Sequence, residues 1–330
     1  MDLKTCPKIE NHLHLEGAIP LDSLWELLKK YNGTKEIPDL KRLKEKFEYR
    51  DFNHFLEVWT WKNNFLREYD DFTFITDSVL TDLAGQNIKY AEIFFSPSAF
   101  REKLNIQRIT EAISTGIRRH KEIRINLIAD LVRNFGPENE LRTLQEINEV
   151  KDFGIIGIGI GGPEKEYPPE LFTTIYDQAR KLGFRTTAHA GEGAGPESIW
   201  SAVRDLKTER IGHGTRASED EDLVRYLAQT KIPVELCILS NFRTKVIGSL
   251  EEHPVRKFID IGIPVSINTD DPKMFGNSLA MEYQALHDVF GFTENQIFGI
   301  ILNSVETTWL DQDEKDRLVS QIKSEAGIED

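Results

Sequence analysis

The sequence predicts an α/β protein, a (β/α)₈ TIM barrel with a helical insertion after its first strand. Three observations lead there. About eight short apolar runs of strand composition alternate with helical segments along the chain. Most gaps hold one helix, the crossover that parallel neighbours require. Finally, His14, His189, His213 and Asp270 stand at or just beyond the C-terminal ends of such runs, where this architecture carries its chemistry.

The first strand runs through Ile9-Glu10-Asn11-His12-Leu13-His14 and leads into Leu15-Glu16-Gly17. Residues 20–85 form a long helical excursion. Leu21, Leu24, Leu27 and Leu28 share one face, and Phe55, Leu56, Trp59 and Trp61 mark a second segment. An insertion of this length between strands reads as a lid. The next strand, Ile88 to Phe95, is stopped by Ser96-Pro97. A helix over 106–121 precedes a strand over 124–130, and 138–151 precedes 154–160. Helix 170–182 precedes strand 185–189, and 197–206 precedes 210–213. Helix 219–229 precedes strand 233–238, and 255–261 precedes 264–270, with further helices from Leu279. No low-complexity linker interrupts this order, so residues 1–330 are expected to form one domain.

The composition, 39% hydrophobic and 29% charged, is globular. A net charge of -14 excludes a general affinity for nucleic acid or anionic membrane. No apolar run approaches the ~20 residues that span a bilayer, and Asp2 and Lys4 charge the N-terminus. The expectation is a cytoplasmic protein acting on a small molecule. Cys6 and Cys237 are too few for a disulfide framework, and Cys237, in an apolar run, reads as a buried thiol.

His12 and His14 alternate on a strand and so point the same way. His189, in Thr187-Ala188-His189-Ala190-Gly191-Glu192, ends another strand in a glycine-rich turn with an acid three residues on. His213 lies between Gly212 and Gly214, neighbours too small to bury it. Asp270 and Asp271 are adjacent acids at a strand end, so one can bind metal while the other meets substrate or solvent. Three imidazoles and a carboxylate suit zinc with a position left for water. Glu192 and His213 are then free for proton transfer. His54, His120, His253 and His287 fall on helices or loops and receive no metal role.

The motifs HLHLEG at 12–17, HAGE at 189–192, GHG at 212–214, CILSN at 237–241 and NTDDP at 268–272 occur in order over nearly the whole chain. Together they resemble the adenosine and adenine deaminase family of the amidohydrolase superfamily. The resemblance implies one zinc ion per chain on His12, His14, His189 and Asp270. It implies that Glu192 protonates the purine N1, and that His213 and Asp271 orient and activate the hydroxide attacking C6. Asp271 would also contact N7, Gly162 would meet N3 through its backbone, and Phe55 and Leu56 would gate the pocket. The strand over 154–160 has no lysine to bridge a second metal.

Three positions depart from the pattern. Glu16 stands where adenosine-specific members commonly carry an aspartate toward the ribose 5′-hydroxyl, Gly159 replaces a strand aspartate, and Ile238 replaces a proline. Gly212, where the adenine-specific branch tends to have aspartate, favours a nucleoside. The expected reaction is adenosine to inosine plus ammonia. The alternatives are adenine, or aminodeoxyfutalosine, which members similar at IGIGGPE and AGPESIW deaminate. That substrate's carboxylate would need a cation, with Arg101, Arg133 and Arg243 as candidates. A non-catalytic nucleoside-binding barrel is the reading from another class, and its mark would be the loss of a ligand or of Glu192.

Overall fold

A computed structural model describes residues 2–328. Its strands are β1 (Lys8–His14), β2 (Ile88–Phe95), β3 (Arg124–Val132), β4 (Ile155–Gly161), β5 (Arg185–Thr186), β6 (His189–Ala190), β7 (Ile211–His213), β8 (Val234–Leu236) and β9 (Val265–Ile267). All neighbours pair in parallel, in the orders β1-β2-β3-β4-β5 and β6-β7-β8-β9. Two links join these sheets into a ring. β5 and β6 are halves of one stave, which the amide of Thr187 ties to the Ile158 carbonyl at 3.0 Å. The last stave returns to the first through a parallel bridge between Leu13 and Asp270. There the amide of His14 donates to Asp270 (2.9 Å) and that of Asp270 to His12 (3.0 Å). Eight staves therefore surround one axis.

Strand residues such as Ile93, Ile128 and Ile158 are buried, because both faces of a parallel barrel are covered. The expected strand over 185–189 differs by breaking in its middle. Its residues Thr187 and Ala188 stay in line through single bonds to both neighbours, the second being Gly212 N to the Ala188 carbonyl at 2.8 Å.

Between β1 and β2 the chain forms α1 (Leu21–Lys30), α2 (Leu40–Lys46), α3 (Phe52–Asn63) and α4 (Tyr69–Gly85). α1 buries Leu24, Leu27 and Leu28, the expected stripe. Asp51 caps α3 by accepting from the amide of His54. α3 turns Phe52, Phe55, Leu56, Trp59 and Asn63, one helical face, toward the mouth of the barrel. No helix among the described residues is long and apolar enough to cross a membrane.

Candidate active site

The loops at the C-terminal ends of the staves and α3 enclose a cavity of about 850 Å³. His14, His189 and Asp270 line its floor, with His12 fully buried behind them. The Nε2 atoms of His12 and His14 each lie 3.1 Å from Nε2 of His189. Oδ1 of Asp270 is 3.6 Å from the first and 3.4 Å from the second. All four ligand atoms lie within 4.8 Å of one another. Corners ~2.0–2.1 Å from the centre of a tetrahedron are separated by ~3.3 Å, so the four residues fit a small divalent metal such as zinc.

Their protonation agrees. Burial pushes His14 down to about 3 and His189 well below its ordinary value, so both rings offer a lone pair. Burial acts the same way on His12, but Asp270 and Glu235 outweigh it and raise His12 to about 10. The two carboxylates thus favour positive charge at His12.

Each side chain is fixed from outside. The carbonyl of Ile160 lies 2.9 Å from Nδ1 of His189, setting that ring with Nε2 inward. Asp270 turns through a φ of +66° and accepts from the Ser240 hydroxyl at 2.6 Å. His213 also has a positive φ, +61°. A left-handed backbone in non-glycine residues costs ~1–3 kcal/mol and persists where its surroundings impose it. His12 heads a buried column of charges. Its Nδ1 meets Glu235 at 2.7 Å, Glu235 pairs with Nε of Arg210 at 2.6 Å, and Nη2 of Arg210 pairs with Glu92 at 2.6 Å. Burial alone would raise the Glu235 carboxyl, but Arg210 and His12 hold it below the ordinary range.

Glu192 lines the cavity, with Oε2 at 3.5 Å from Nε2 of His213. Burial, Asp270 and Glu164 together push its carboxyl well above the ordinary range, which favours its protonated form. Thr215 donates to Oδ1 of Asn241, which leaves the amide nitrogen to meet Nδ1 of His213 at 3.0 Å. His213 accepts there and carries its proton on Nε2, facing Glu192; burial lowers it to about 4. Asp271 also lines the cavity and is likewise raised by burial and Asp270. It packs on Gly17, where a Cβ would stand 1.6 Å from Oδ1 of Asp271, so that position admits no side chain.

Gly162, Phe55 and Leu56 line the cavity. Glu16 sits behind the wall at 1% exposure, accepting from the amide of Ser96 at 2.9 Å. Arg101 pairs with Glu146, Arg133 donates to the carbonyls of Tyr167 and His189, and Arg243 is exposed; none lines the cavity. The ammonium on the described lining is Lys103. His54, His120, His253 and His287 join no ligand cluster among the described residues, and Cys237 is fully buried.

Four groups escape a sequence reading. Asp130 lines the cavity from β3, opposite Gly159 in register. A Cβ at Gly159 would come 2.8 Å from Oδ1 of Asp130, so the glycine on β4 leaves room for the carboxylate on β3. The signal was an acid near a strand end. Lys62 is buried and donates to the Glu16 carbonyl (2.5 Å) and to Oδ1 of Asn63 (2.7 Å). That turns the Asn63 amide nitrogen, which has no partner, outward from the lysine. Glu164 binds the turn that carries Glu192, and Glu235 supports His12. Neither of these last two stands out in its own segment.

The family model for adenosine deaminase matches residues 7–325. The chain belongs to the adenosine deaminase family. Two relatives of this family are an aminodeoxyfutalosine deaminase from Streptomyces avermitilis and an adenosine deaminase from Yersinia pseudotuberculosis. The first is 33% identical over 323 residues, 96% of this chain and 90% of the relative. The second is 35% identical over 325 residues, 96% and 97%. Among solved structures, an adenine deaminase from Arthrobacter aurescens has a TM-score of 0.91 at 29% identity, covering 98% of this chain and 99% of that one. A zinc-bound amidohydrolase from Burkholderia ambifaria has a TM-score of 0.89 at 28% identity, covering 98% and 93%. This adenosine deaminase family member is thus a hydrolytic deaminase of the aminopurine type, and its fold is the expected barrel.

Proposed function

We propose that the protein is a deaminase with one zinc ion per chain that converts a 6-aminopurine nucleoside to its 6-oxo product and ammonia. His12, His14, His189 and Asp270 would hold the zinc, which would supply the Lewis acidity that lowers the pKa of water from about 15.7 toward ~7. Glu192, neutral because it is buried beside Asp270, gives its proton to N1 and makes C6 electrophilic. His213 points Nε2–H at the attacking oxygen. Asp271, protonated by the same logic, reaches N7 and fixes the ring plane. The C6–O bond forms with the oxygen of water and the C6–N bond breaks; one proton of that water leaves with the amino group as ammonia and the other returns to the Glu192 carboxylate. Phe55 and Leu56 on α3 keep bulk water away, and Gly162 presents its backbone to the purine edge. A binding-only barrel is disfavoured because the ligands and Glu192 are all in place.

The observation that supports a nucleoside is the cavity itself. Its volume of about 850 Å³ reaches from His14, His189 and Asp270 to Trp59, Asn63, Phe100 and Lys103, more space than a bare base fills. Measuring ammonia release from adenosine, adenine and aminodeoxyfutalosine tests this, and a hundredfold higher kcat/KM for adenine defeats it. One observation favours adenine: Glu16, expected at the ribose, is withdrawn behind Ser96. Glu192→Gln should lose ~10²–10⁴ in kcat with zinc retained; unchanged turnover removes Glu192 from the mechanism.

A further inference from the structure

Glu192 stands on a glycine-rich turn, and glycine-rich backbone does not hold a catalytic geometry unaided. The segment has no regular secondary structure between His189–Ala190 and the short helix at Pro196–Ser201. Its Gly191 carbonyl accepts from the amide of Arg216 at 3.0 Å, and its N–H groups are held by one carboxylate from another loop. Glu164, just beyond β4, is 3% exposed. Its Oε1 accepts from the amide of Gly191 at 2.6 Å. Its Oε2 accepts from the amides of Glu192 (3.1 Å), Gly193 (2.7 Å) and Ala194 (3.0 Å). Four consecutive N–H groups thus form a nest around one anion, and the second of them belongs to Glu192. Charge-assisted bonds of this kind are roughly twice as strong as neutral ones. Without the anion, four converging donors are left near one point, and the turn must open to find water.

We infer that Glu164 is a positioning residue for deamination: its carboxylate organises the Gly191–Ala194 nest and thereby aims the Glu192 side chain. The inference rests on the reading of Glu192 as the proton donor. A second cavity, of about 560 Å³, lies on the far side of this clamp and is lined by Glu164, Lys165, Ala194, Glu197 and Trp200. It gives a small anion a route to the nest when the Glu164 side chain is cut back.

The test is chemical rescue of Glu164→Ala as the zinc-loaded enzyme. A misplacement of about 1 Å costs ~10²-fold in rate, so kcat should fall about a hundredfold with KM and zinc content near wild type. Formate should restore kcat saturably, and chloride at equal ionic strength should not. Glu164→Gln keeps one acceptor oxygen but turns an N–H₂ toward one side of the nest; it should fall between the two and carries the test if the alanine variant does not fold. A kcat within twofold of wild type in the variant that folds, or a loss matched by zinc loss and indifferent to formate, overturns the inference. If Glu164→Ala behaves as expected while Glu192→Gln remains fully active, the proton-donor reading fails instead. If only Glu192→Gln is impaired, the positioning role alone fails.

Discussion

Replacing Glu235 with glutamine removes one negative charge from the second layer of the site and leaves shape almost unchanged. The carboxylate now serves two partners, His12 at 2.7 Å and Nε of Arg210 at 2.6 Å, with both residues fully buried. Glutamine can give its oxygen to one and must turn its amide nitrogen on the other. If it keeps His12, the ring still has an acceptor but loses the anion that makes it a stronger ligand. Loss of such a partner weakens metal binding ~10–100-fold, which is ~1.4–2.8 kcal/mol. The second cost falls on Arg210, which keeps Glu92 at 2.6 Å and the Thr307 carbonyl at 3.0 Å. Breaking one side of a buried ion pair costs ~3–5 kcal/mol, and the remaining partners place Glu235→Gln at the lower end. Zinc affinity read by competition with a chelating dye should therefore drop by one to two orders of magnitude, alongside a lower Tm in the metal-free protein. Zinc affinity within twofold of wild type would refute the claim that Glu235 strengthens His12.

Gly159→Asp sets a second carboxylate against Asp130 and should lower both Tm and activity; adding Asp130→Ala should recover part of each, and strictly additive losses would show that the two positions do not share one place. Lys62→Met strips a donor from the Glu16 carbonyl and Oδ1 of Asn63, at ~1–3 kcal/mol for the groups left unpaired. Freed of the lysine, the Asn63 amide can turn over, so KM for nucleosides should rise more than kcat falls; a change confined to kcat argues against Asn63 as a wall of the substrate site. For pH, burial beside Asp270 and Glu164 holds Glu192 protonated above the ordinary carboxylate range. The active form is lost as pH rises through that raised value, so kcat/KM should show a limb descending toward alkali. Activity that instead requires ionisation near ~4.3 would mean Glu192 works as a base. Chelation of the metal should lower Tm, by about 2.7 kcal/mol of stability for ligand that had been at a hundred times Kd; an unchanged melting curve would mean the cage forms without contributing to the fold.

The staves were legible because a parallel barrel buries both faces, so Ile88–Phe95 reads as an apolar run from either side. The alternation of His12 and His14 was legible for the same local reason. The split of the fifth stave was not, because the pattern Arg185 to His189 is that of a continuous strand, and the break shows only in its pairing: Arg185 and Thr186 pair with β4, His189 and Ala190 with β7. At the site, residues whose function lies in their own segment could be named: an imidazole at a strand end, an acid in a glycine turn. Glu164 and Glu235 act only through contacts with segments 27 and 223 residues away, at Gly191 and His12. Asp130 and Gly159 are legible only as a pair, since the glycine makes room for the acid.

The charge column below His12 also has a foot. Nη1 of Arg210 donates to the Thr307 carbonyl, its guanidinium lies 3.6 Å from the ring centroid of Trp309, and the amide of Trp309 donates to Glu92 at 2.9 Å. Asn11, beside the first metal-ligand candidate, donates to the carbonyl of Ser304 at 2.9 Å. Ser304 lies 293 residues after Asn11 in the chain, so synthesis, which runs from the N-terminus, makes these supports long after His12 and His14. Metal loading thereby becomes an inspection of the finished chain: a polypeptide stopped before Thr307 should fold its early staves and yet compete poorly for zinc. Stalled nascent chains of increasing length, titrated with a zinc dye, would locate the residue at which the cage first holds its ion, and tight binding well before residue 304 would contradict this order.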